Sequence, residues 1–83
     1  MVEEKVLHSI TNYGKIVINI KDIMKENDIS IYALSKKTGI KYDLLKKYYH
    51  NEIYRIDLAN VAKICYALKC DSKDIIKYIS SEN

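Results

Sequence analysis

The 83-residue sequence has no proline, no tryptophan and no phenylalanine, and only two glycines and two cysteines. Two glycines cannot build a glycine-rich phosphate loop, which needs several close together. Two cysteines, Cys65 and Cys70, are too few to staple a secreted mini-protein, so stability is expected from apolar packing in a reducing compartment. They lie five residues apart, and His8 and His50 fall in distant elements, so no metal-ligand spacing appears. Neither a metal nor a cofactor is expected. Catalysis by a cysteine–histidine pair would need a cleft for which a chain this short has little room, so an enzyme is not expected either. No apolar run approaches the ~20 residues that cross a bilayer. The first residues, Met1-Val2-Glu3-Glu4-Lys5, are acidic before they are basic, which argues against a signal peptide. The expectation is a soluble cytoplasmic domain with no membrane partner.

Hydrophobic residues make up 48% and charged residues 30% of the chain, enough to form a core and too apolar for disorder. The length leaves room for one domain. The net charge of +3 is unevenly spread. Residues 30–55 hold Lys36, Lys37, Lys41, Lys46, Lys47 and Arg55 against Asp43 and Glu52, and the rest of the chain is close to neutral. A basic patch on a near-neutral domain suits a polyanion partner. On charge alone, a solvated lysine-rich face is an equal alternative.

The hydropathy pattern divides at the two glycines. Val6, His8 and Ile10 alternate with polar residues, as do Ile16, Ile18 and Ile20, which suggests strands either side of a turn over residues 11–14. A short helix over residues 3–11 is the competing reading. From Lys21 the period becomes helical through Ile20, Ile23 and Met24, with Asn27-Asp28 as a stop. Ser30 stands as the N-cap of a second helix and Gly39 as its left-handed end. Lys41 to Tyr49 read as a third helix, broken at Asn51-Glu52. Asp57 caps a fourth, with Leu58, Val61, Ala62, Cys65 and Leu68 as an apolar stripe. Asp71 or Ser72 starts a last short helix carrying Ile75, Ile76 and Ile79. The expected core includes Leu34, Leu45, Val61, Ile64 and Leu68.

With the elements in this order, Leu34-Ser35-Lys36-Lys37-Thr38-Gly39-Ile40 resembles the helix-turn-helix core of the lambda-repressor/Cro-type, or xenobiotic-response-element-type, family. Arg55-Ile56-Asp57-Leu58 resembles that family's lead-in to its fourth helix. Ala62 to Cys70 and Asp74-Ile75-Ile76 resemble its later signatures. The resemblance covers about residues 20–79. It implies an all-α, five-helix lambda-repressor-like domain, here with a short N-terminal strand or hairpin as an addition. It also implies a transcriptional regulator, commonly dimeric. Three positions depart from the family pattern: Ile31 or Tyr32 stands for an early Gln, Lys41 for a Ser, and Asn51-Glu52 for a Gly-containing turn. Residues 1–19 are left as an extension for dimerisation or core cover, and residues 80–83 as a frayed tail.

In the third helix Leu45 and Tyr48 share one side, flanked by Leu44 and Tyr49, and Tyr42, Asp43, Lys46, Lys47 and His50 share the other. If the first side meets the core, the second reaches DNA. Lys46 and Lys47 can donate to phosphates or to guanine O6 and N7, and the Tyr42 hydroxyl to a phosphate. Lys41 and Arg55 bracket the helix as candidate phosphate ligands, with pairing to Asp57 or Glu52 an equal alternative for Arg55. Asp43 is repelled by phosphate; it either accepts from a cytosine amino group or meets the helix N-terminal dipole, and the dipole is preferred. Double-stranded DNA is the expected partner and a homodimer the expected assembly. The alternatives are an interaction module of antitoxin or anti-repressor type, and a single-strand binder stacking bases on its tyrosines, most of which are expected at core or flanking positions.

Overall fold

The computed structural model describes residues 13–81. In chain order the elements are β1 (Lys15–Ile18), α1 (Lys21–Glu26), α2 (Ile31–Thr38), α3 (Tyr42–Tyr49), α4 (Leu58–Leu68), α5 (Ser72–Ile75) and β2 (Ile76–Ile79). The two strands pair antiparallel, with Ile18 opposite Ile76 and Lys15 opposite Ile79. A short ribbon therefore closes a bundle of five short helices.

Helix ends follow side-chain chemistry. The Ser30 hydroxyl accepts from the Ala33 N–H at 3.1 Å, and the Asp57 carboxylate accepts from the Ala59 N–H at 2.9 Å. Each satisfies one of the free donors of a first helical turn. At the other ends the chain turns left-handed, at Asp28, Gly39, Asn51 and Lys69. Only one of these is glycine. After α1, α3 and α4 a second bond closes the turn: the N–H groups of Ile29, Glu52 and Cys70 donate to the carbonyls of Met24, Lys47 and Cys65 at 3.0, 2.8 and 3.1 Å. This six-residue closure is the Schellman arrangement, and it also brings the side chains of its first and last residues together.

Ile18, Ile20, Met24, Leu34, Ile40, Leu45, Tyr48, Ile64, Leu68 and Ile75 form one buried cluster. Each fully buried Leu or Ile contributes about 1.5–3 kcal/mol relative to exposure. Leu34, Leu45, Val61, Ile64 and Leu68 are all buried, as their spacing predicts.

Four expectations are corrected. In α4 the buried line runs through Val61, Ile64 and Leu68; Leu58 is 75% exposed, Ala62 is exposed and Cys65 is half-buried. Both lines have helical spacing, and packing against α2 selects the one containing Ile64. The last helix ends at Ile75, and Ile76 and Ile79 belong to a strand. A short run rich in Ile fits either period, and pairing with β1 decides it. The strand expected over residues 16–20 is β1, but its partner among the described residues is β2; the strand over residues 6–10 lies outside them. The tyrosines are mostly on the surface: Tyr48 is buried and Tyr49 half-buried, while Tyr13, Tyr32, Tyr42, Tyr54, Tyr66 and Tyr78 are exposed.

Candidate nucleic-acid interface

The turn that joins α2 to α3 is closed by local bonds. The Thr38 hydroxyl donates to the Leu34 carbonyl at 2.8 Å and accepts from the Ile40 N–H at 3.1 Å. The Ser35 hydroxyl donates to the Ile40 carbonyl at 2.6 Å. Gly39, at φ +79°, gives its N–H to the Ser35 carbonyl. Ile40 is thereby bound through both backbone groups while its side chain enters the core at 4% exposure. The direction in which α3 leaves the turn follows from these bonds.

Leu45 and Tyr48, at 0% and 1% exposure, lock the inner side of α3. Tyr42, Asp43, Lys46, Lys47 and His50 are all exposed on its other side. Lys41, the N-cap residue, and Arg55, in the loop before α4, are exposed as well. Asp43 lies in the first turn of α3, where a carboxylate complements the helix dipole. His50 follows the helix with its ring edge-on to Tyr49, centroids 5.1 Å apart. Two more cations rest on aromatic faces, one of them beside this surface. Lys21 Nζ lies 5.6 Å from the Tyr49 ring centre, which brings a charge of α1 to the end of α3, and Lys36 Nζ lies 5.4 Å from that of Tyr32. Such contacts hold an ammonium group on an aromatic face with ~0.5–1 kcal/mol at exposed sites. The sequence showed Lys21 as one of many lysines, and only the packing of α1 beside α3 reveals its position.

Asn51 has a role that sequence reasoning missed. At φ +61° it fills the left-handed position after α3. Its side chain also reaches β1: Nδ2 donates to the Ile18 carbonyl at 2.9 Å, and Oδ1 accepts from the Ile18 N–H. One amide thus acts as a single-residue strand on the outer edge of β1 and ties the ribbon to the end of α3. Asn is one of the few residues suited to both tasks, since it tolerates the left-handed region and carries a donor and an acceptor.

The profile of the Cro/C1-type HTH DNA-binding domain matches residues 19–81. The chain belongs to that family. An HTH-type transcriptional regulator of Bacillus subtilis strain 168, YozG, itself uncharacterized, is 32% identical over 68 residues, 82% of this chain and 81% of the relative. A crystal structure of a Bacteroides fragilis protein assigned as DNA-binding superposes with a TM-score of 0.68 at 17% identity, over 76% of this chain and 100% of the other. The transcriptional regulator VanUg gives the same TM-score of 0.68 at 21% identity, over 86% and 93%. At those identities the two structures speak for the fold. In this Cro/C1-type domain α2 and α3 are the helix-turn-helix pair, and the bundle is all-helical apart from the ribbon. No helix among the described residues is long and apolar enough to cross a membrane.

Proposed function

We propose that this Cro/C1-type domain is a cytoplasmic, sequence-specific transcriptional regulator that binds double-stranded DNA as a homodimer, with α3 in the major groove. The observation that carries this reading is the two-sided character of α3: one side is locked in the core by Leu45 and Tyr48, and the other exposes Tyr42, Asp43, Lys46, Lys47 and His50. A rigid helix with a polar, basic outer face suits base-edge readout. Lys46 and Lys47 contact bases or phosphates, Lys41, Tyr42 and Arg55 contact phosphates, and Asp43 serves the helix dipole. The description of the Bacillus subtilis relative supports the regulatory role. Residues 20–79 carry the DNA-reading unit.

Support for the dimer comes from the ribbon. Ile16 is 60% exposed and Tyr54 fully exposed, and with Ile56 they line one apolar groove. Exposed apolar surface of this kind marks association sites. β1 then serves twice, covering the core with Ile18 and offering Ile16 to a second copy. Two copies place two recognition helices on half-sites about one helical turn apart.

Selection of bound duplexes from a random pool, followed by footprinting, tests the reading; a palindromic site is expected. Lys46→Ala and Lys47→Ala should weaken binding without loss of fold. A phosphate contact lowers the salt slope by about 0.9, whereas a base contact costs ~1–3 kcal/mol on one sequence only. If both variants bind duplex DNA as tightly as wild type, α3 is not the reading helix. Sedimentation of Ile16→Glu should show a monomer; a persisting dimer would place the interface elsewhere. Absence of any salt-dependent DNA binding would instead favour the interaction-module reading.

A further inference from the structure

At the end of α4 the left-handed Lys69, at φ +55°, folds the chain back so that the Cys70 N–H meets the Cys65 carbonyl. In a closure of this type the side chains of the two bonded residues come together. Here both are thiols, and both are half-buried in the reduced form. The five-residue spacing would put two side chains on different faces of a continuing helix; the turn brings both to one cleft. They line an open cleft together with Lys37, Lys69, Asp71 and Asp74.

We propose that Cys65 and Cys70 form a two-thiolate site for a soft, low-coordinate metal ion, specifically Cu(I). Two sulfurs without further ligands suit an ion content with two thiolates, and soft thiolates select Cu(I). Among the described residues no group of three or more His, Cys, Asp or Glu is placed to hold a metal, which leaves a four-coordinate Zn²⁺ site short of ligands. The neighbouring carboxylates take part in capping α5, the Asp71 N–H donating to Asp74 Oδ2 at 3.0 Å. Cu(I) with two thiolates carries one net negative charge, and the Lys37 and Lys69 side chains line the same cleft to offset it. Binding displaces the protons of both thiols, which go to solvent.

The test uses the full chain, kept reduced with a phosphine under anaerobic conditions and titrated into Cu(I) held by a coloured chelator. Wild type should withdraw one Cu(I) per chain. Cys65→Ser and Cys70→Ser should each withdraw none while retaining the wild-type circular dichroism. Zn²⁺ supplied in parallel should not compete. A second measurement needs no substitution: equimolar Cu(I) should protect both thiols of wild type from alkylation, read by mass. The proposal is overturned if wild type withdraws no Cu(I), if either variant withdraws as much as wild type, if one ion is taken per two chains, if Zn²⁺ competes at equal concentration, or if only one thiol is protected.

Discussion

The turn between α2 and α3 is closed by bonds between residues two to five positions apart, from Ser35, Thr38 and Ile40. The ribbon is closed by strands from opposite ends of the described chain and by an Asn51 amide 33 residues from its partner Ile18. Both regions orient something that matters: the turn aims α3, and the ribbon covers the bottom of the core with Ile18 and exposes Ile16. The turn has its geometry as soon as the local chain folds. The ribbon takes its geometry from the pairing of β1 with β2 and from Asn51 at the end of α3 together. A local device tolerates the loss of its neighbours better than one assembled from three distant segments.

The comparison can be broken most severely through the core that both regions share. Leu45→Ala removes a side chain with no exposure, and such truncations cost about 2–5 kcal/mol, a large part of the ~5–15 kcal/mol that holds a typical domain together. Chemical denaturation should show the loss as a single cooperative transition. An unchanged midpoint would mean that the inner side of α3 has been misplaced.

Asn51→Gly sharpens the contrast. It keeps the left-handed turn and restores the residue type usual in the family, so the turn alone would be eased. The two bonds to Ile18 are lost, and its part-buried backbone groups go to solvent or remain unpaired, at a cost of up to about 1–3 kcal/mol. Hydrogen exchange should quicken at the Ile18 amide and along β1 while α2 and α3 keep their protection. Equal loosening of all elements would show that the ribbon and the helix-turn-helix are one cooperative unit.

Gly39→Ala should have the smallest effect. An added Cβ at Gly39 meets nothing within 4 Å, so the cost is only that of a left-handed alanine, about 1–2 kcal/mol. Thermal unfolding should shift modestly, with DNA affinity preserved, because Ser35 and Thr38 still tie down Ile40. A loss as large as that of Leu45→Ala would mean that the glycine itself aims α3.

The parts whose causes are local can be read from the chain alone. Ser30, Asp57 and Gly39 announce helix ends because capping and left-handed turns act over one to four residues. The two sides of α3 follow from helical periodicity, and so does the set of exposed candidates from Lys41 to His50. The tertiary structure decided what local chemistry leaves degenerate. The α4 stripes through Leu58 and through Ile64 have the same spacing, and only the packing of α2 chooses between them. Ile76 to Ile79 fit helix or strand until β1 supplies a partner for their backbone. Asn51 looks like a helix stop until its amide is seen on Ile18. Cys65 and Cys70 look too far apart to act together until the left-handed Lys69 reverses the chain. In each case the deciding energy comes from a contact with another segment, and a one-dimensional pattern does not contain it.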